Sequence, residues 1–170
     1  MPHYESPLQE AAERWPQTQL WNDSCGMADI DLALRRGGCG ATSNPVIVGN
    51  VLRREMHLWE DRLREIIDKD LADGTEDEIC WKSSKEAGLK GAEKLLPLFR
   101  QSGGKKGWQA MQVNPIYYRS VEKTVAHAQE LSSMGENILI KMPVSTAGIK
   151  ALEECSYRGS PVNGTVCFGL

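Results

Sequence analysis

The sequence has no apolar run near the roughly 20 residues that a membrane-spanning helix needs, so a membrane partner is not expected. It has no excess of positive charge: 20 basic against 23 acidic side chains leave a formal charge of −3. That argues against nucleic acid or an anionic membrane as partner, since either needs a basic surface. It has no C-x-x-C pair. The five cysteines (Cys25, Cys39, Cys80, Cys155, Cys167) are scattered and odd in number, which fits reduced thiols better than a disulfide framework or a zinc site. The first ten residues, "MPHYESPLQE", lack the charged-then-apolar order of a secretory signal. A cytoplasmic protein is expected on these grounds. His57 and His127 have no second ligand one helical turn away, so no metal is expected. No G-x-G-x-x-G follows the first strand, and "RRGGCG" (35–40) precedes a strand rather than following one, so a dinucleotide fold has no support.

What remains is ordinary for one soluble domain spanning residues 1–170, with 41% hydrophobic and 25% charged residues and no linker or low-complexity tract. Strand and helix signals alternate along it. "TQLWNDS" (18–24) reads as a first strand and "MADIDLALRRGG" (27–38) as a helix closed by Gly37 and Gly38. "CGATSNP" (39–45) reads as a second strand, with Pro45 opening the next helix. Residues 46–71 carry Val48, Leu52, Met56, Trp59, Leu63, Ile66 and Ile67 at helical spacing. Residues 75–103 predict more helix, broken at Gly88 or before Pro97. "WQAMQVNP" (108–115) is a third strand, followed by a helix with Val121, Val125, Ala128 and Leu131 on one face. "NILIKMP" (137–143) is a fourth strand, and residues 145–159 are a helix capped by Ser145 or Thr146 and stopped by Gly159. "VNGTVCFGL" (162–170) is a fifth strand.

Five strands joined through helices predict an α/β fold with parallel pairing and right-handed crossovers. The choice is between an open flavodoxin-like sheet and part of a (β/α)8 barrel, which in full needs eight strands and roughly 250 residues. Side chains alternate faces along a strand. Leu139 and Lys141 therefore share one face of the fourth strand, Gln112 and Asn114 one face of the third, and Asn163 and Thr165 one face of the fifth. Thr42 and Asn44 go together in the second strand, and Trp21 and Asp23 in the first. Buried parallel strands usually read as near-continuous Val, Ile and Leu. Here each strand has a polar residue toward its C-terminal end, where barrels and open α/β sheets build their sites. Any one such Asn, Asp or Thr is ordinarily a turn former or helix cap. An ammonium group ending the most apolar strand, "ILIKMP", is harder to treat as incidental.

"GATSNPVIV" (40–48), "QVNP" (112–115), "ILIKMPVSTAGIKALEE" (138–154) and "VNGTVCF" (162–168) resemble the transaldolase family, as does "WNDSC" (21–25) for its first strand. The resemblance covers residues 18–170 and implies a partial (β/α)8 barrel holding strands one to five. It implies transfer of a dihydroxyacetone unit between sugar phosphates through a lysine Schiff base, without metal or coenzyme, as in the pentose phosphate pathway of carbohydrate metabolism. Lys141 would be the nucleophile, Asp23 the acid/base for carbon–carbon cleavage, Asn44 and Asn163 the holders of substrate hydroxyls, and Thr165 a positioner of the proton-relaying water. An imine-forming lysine must react as the neutral amine, which desolvation favours; Leu139, Met142 and facing helices are expected to supply it.

Two departures qualify the resemblance. Gln112 stands where the family's third strand usually has Glu, and it can bind the water but cannot titrate. The related fructose-6-phosphate aldolases resemble this chain there, which makes a carbon–carbon lyase the alternative activity. Strands six to eight, with the phosphate-binding positions, are also missing, which leaves two sheet edges open. The expectation is a piece of a longer protein, with association of copies through these edges, or a non-catalytic remnant, as the alternatives.

Overall fold

The computed structural model describes residues 4–169. The last position of the expected fifth strand, Leu170, and the first three residues of the N-terminal stretch lie outside them. Five strands form one sheet: β1 Trp21–Asn22, β2 Gly40–Thr42, β3 Trp108–Gln112, β4 Ile138–Pro143 and β5 Val162–Thr165. All pairs are parallel and the spatial order is β1-β2-β3-β4-β5, the order of the chain. This order decides between the two architectures. A flavodoxin-like sheet reverses its winding at a switch point, whereas unreversed order is how a barrel grows. The fold is α/β, an open sheet consistent with a partial barrel.

The connecting helices are α2 Met27–Arg35, α3 Pro45–Arg54, α4 Met56–Glu65, α5 Glu76–Gln101, α6 Val121–Ser132 and α7 Thr146–Tyr157; α1 Pro7–Arg14 precedes them all. The sequence reading did not anticipate α1, which starts at a Ser6 cap and Pro7 and buries no residue fully. The expected helix over 46–71 is broken at Glu55, whose backbone leaves helical geometry. The Glu55 side chain is buried and accepts the Met27 N–H at 3.3 Å, which ties the break to the start of α2. A π-helical turn, Ile66–Asp70, ends that segment.

In contrast, α5 runs unbroken for 26 residues through both expected breakpoints. A Cβ at Gly88 would lie 2.6 Å from the Met111 methyl, so this glycine is a close approach of helix to β3 rather than a stop. A capping box between Thr75 and Glu78 starts α5. The first strand is shorter than expected, two residues against seven, and β5 stops at Thr165, after which Val166 takes φ +59°.

Helices cover one face of the sheet. In β4 the buried side chains are Ile138, Ile140 and Met142. They pack with Met111, Val113, Val125, Ala128, Leu131, Ala151 and Cys155 in the main core cluster, formed with α6 and α7. Leu139, Lys141 and Pro143 alternate onto the other face and are only half-buried. Among the described residues, no helix is long and apolar enough to cross a membrane.

Candidate active site

Strand register assembles the polar positions that the sequence left as separate strands. Gln112 on β3 pairs with Lys141 on β4, and Lys141 pairs with Asn163 on β5. Residues level in register share a face, so the three side chains form one row near the C-terminal ends of adjacent strands. Thr165 is two residues further along β5, opposite Pro143 and on the same face. Thr42 on β2 reaches the row from the other side, its Oγ1 at 3.4 Å from Lys141 Nζ. Among the described residues this long contact is the lysine's one side-chain hydrogen bond, and no carboxylate pairs with it.

The half-burial of Lys141 differs in origin from the expectation. Met142 points the opposite way, into the helix-covered core. The ammonium-bearing face is opposite the helix-packed core, and in register Lys141 stands between Gln112 of β3 and Asn163 of β5. Alternation places Thr42 on this face but assigns it no role. Its signal was faint because nothing in a single sequence tells which strand lies beside which.

Asp23 stands one residue beyond β1, whose last residue Asn22 pairs with Ala41, the residue before Thr42. It is exposed. The loop carrying it is pinned on both sides. Asn22 Nδ2 donates to the Ser24 carbonyl at 2.8 Å, and the Ser24 hydroxyl donates to Asp29 at 2.6 Å while accepting the Gly26 N–H at 3.1 Å. Arg54 then pairs with Asp29, tying the end of α3 to the start of α2. Next to Asp23, burial pushes the Cys25 thiol up to about 11, with smaller contributions from Glu55 and Asp29. Cys25 is therefore a protonated packing residue.

Asn44 performs the bland role the sequence allowed: its Oδ1 accepts the Ile47 N–H at 2.9 Å and caps α3. Asn44 and Gln112 also line a small cavity with Trp81, Ser84 and Lys85 of α5 and Leu131 of α6, a lining that does not include Lys141. The structure thus gathers Gln112, Lys141, Asn163 and Thr42 directly, sets Thr165 on their face, and holds Asp23 and Asn44 at the exits of β1 and β2.

Residues 20–170 match the family model described as Transaldolase/Fructose-6-phosphate aldolase. The chain belongs to this family. A transaldolase of Neisseria meningitidis serogroup C is 29% identical over 157 residues, covering 88% of this chain and 44% of its own length. A transaldolase of Campylobacter jejuni is 31% identical over 139 residues, covering 81% of this chain and 40% of its own. One from Thermobifida fusca is 26% identical over 179 residues, with 97% and 45% covered. The chain therefore spans less than half the length of these curated relatives.

Proposed function

We propose that this chain, as one transaldolase-like domain, carries the Schiff-base portion of a site that moves a dihydroxyacetone unit between sugar phosphates. The observation that carries the reading is the row Gln112–Lys141–Asn163, in which a half-buried lysine has a hydroxyl and neutral amides for company and no carboxylate of the described residues paired to it. A paired carboxylate would hold the amine in its charged, unreactive form.

In this reading the neutral Lys141 amine adds to the ketose carbonyl, a proton is taken up from solvent and water leaves, giving a protonated imine. Asp23 takes the proton from the hydroxyl on the fourth carbon, the bond between the third and fourth carbons breaks, and its electron pair flows into the imine. The aldehyde departs. The three-carbon enamine then adds to an acceptor aldehyde by the reverse steps, and water releases the product from Lys141. Asn163 and the Asn44 amide hold the hydroxyls of the three-carbon unit, and Gln112 with Thr165 holds the water.

A second reading, a fructose-6-phosphate aldolase-like lyase, draws on Gln112, because a neutral amide level with Lys141 orders water without titrating. Borohydride reduction in the presence of fructose 6-phosphate tests both. An adduct mapped to Lys141 by mass spectrometry, and lost in Lys141→Met, is the expected result; a folded wild-type chain without adduct would sink the catalytic reading. Free dihydroxyacetone released without an acceptor aldehyde would favour the lyase, and a three-carbon unit that leaves only as part of a new ketose, once an acceptor aldehyde is added, would favour the transferase.

A further inference from the structure

His127, on α6, is buried and has no part in the chemistry above. Its Nδ1 accepts the backbone N–H of Asn114 at 3.0 Å. A ring nitrogen that accepts carries no proton, so the bonded imidazole is the neutral Nε2–H tautomer. The ring is held edge-on by Trp81, with centroids 5.5 Å apart, and by Tyr117 at 5.7 Å. Asn114 follows β3 at the point where the sheet's own bonding ends: Val113 N–H donates to the Lys141 carbonyl at 3.1 Å, and the next N–H goes to His127. The Asn114 side chain meanwhile accepts the Ile116 N–H at 3.0 Å and starts the 3-10 turn Pro115–Tyr117.

We propose that His127, as its Nε2–H tautomer, is a positioning residue for Gln112 and Lys141, clamping the exit of β3 to α6. Gln112 lies two residues before the clamped amide, and Val113, between them, is bonded to Lys141 itself. Loss of the acceptor leaves the Asn114 N–H to find water, opens the turn after it, and frees the end of the strand that sets Gln112 beside Lys141. That this row reacts rests on the Schiff-base reading; the clamp does not.

The clamp is sensitive to acid. The charged and titratable groups facing the ring's groove are Asp77, Glu78, Lys82 and Lys85 from α5, Glu130 from α6, and Tyr117. Burial, helped by Lys85 and opposed by Glu130, holds the imidazole below its ordinary 6.5. A protonated ring donates from both nitrogens and cannot accept the amide. The stabilisation from the neutral ring is therefore complete above about 6.5 and is lost as the pH falls through the lower, folded value.

Nitrogen-15 NMR of the full chain reads each link. Above pH 6.5 the expected spectrum has His127 as the Nε2–H tautomer and the Asn114 amide in slow exchange. On acidification both change together, and the Gln112 side-chain amide moves with them. His127→Phe keeps the aromatic edges and removes the acceptor; it is expected to speed Asn114 exchange by roughly tenfold or more, the scale of one orphaned N–H, and to shift Gln112 at every pH. His127→Asn, whose Oδ1 can stand in for Nδ1, restores both without the pH step. Borohydride trapping at Lys141 falls in the Phe variant and returns in the Asn variant. An Nδ1–H or charged ring above pH 6.5 overturns the proposal, as does a Gln112 signal indifferent to His127→Phe. The wild-type titration decides even where a variant fails to fold. Absence of trapping in the wild type counts against the Schiff-base reading and leaves the NMR result to judge the clamp.

Discussion

Lys141 stands in register between Gln112 and Asn163, and its Nζ donates to the Thr42 hydroxyl at 3.4 Å. Replacing Thr42 by Val keeps the branched shape and deletes the hydroxyl. Trapping at Lys141 is expected to slow about two- to tenfold in Thr42→Val, the range of one neutral hydrogen bond, and to recover in Thr42→Ser. An unchanged rate in Thr42→Val would show the 3.4 Å contact to be idle. Lys141, Gln112 and Asn163 were singled out from alternation and from motif likeness, and register then set them side by side. Thr42 was harder to see, because its contact crosses 99 residues of sequence. His127 was harder still, since one helical histidine without a partner at the next turn reads as packing.

Between elements, the insert joining β2 to β3 is fastened by an ion cluster. Arg62 on α4 bonds Glu86 on α5 through two nitrogens at 2.7 and 2.6 Å, and Asp70 at the end of the π-helical turn at 2.7 Å. Lys82 adds contacts to Asp70 at 3.3 Å and Glu86 at 3.6 Å. Hydrogen bonds from Arg62 are the main reason that both carboxyls sit below their ordinary range. A depressed carboxyl contributes stability that is present above its unfolded value, here 3.8 and 4.5, and is lost as the pH falls through the folded value. Arg62→Gln is expected to lower the urea midpoint at neutral pH, with the gap to wild type closing in acid below those values. A gap independent of pH would assign the effect to lost packing of the arginine stem instead. The long α5 in this insert was misread as broken, because glycine and proline are judged locally as helix breakers. Gly88 is tolerated because Met111 fills the space a side chain would take, which only the packed helix shows.

At the scale of the fold, among the described residues β1 and β5 each pair with one strand. Unpaired strand edges invite pairing with another chain. Just after β5, Val166 is 66% and Phe168 94% exposed. Sedimentation of the chain is expected to show weight-average mass rising with concentration. Phe168→Asp is expected to weaken the association about tenfold or more, given about 1.5–3 kcal/mol for burying such a ring. A monomer across the accessible range would show that the edges are protected by other means.

Alternating strands and helices, parallel pairing and the lysine at the end of β4 follow from local patterns: period two or three-to-four, a proline or glycine at the boundaries, a charge where the apolar run stops. A sequence carries these because each depends on neighbours a few residues away. The choice of an unreversed sheet over a switched one, the level row of Gln112, Lys141 and Asn163, and the side of the sheet to which the helix-packed core falls were decided only by the tertiary structure. Strand order and register depend on which distant segments exchange backbone hydrogen bonds, and helices settle on the face whose side chains bury best. Both are properties of the packed whole.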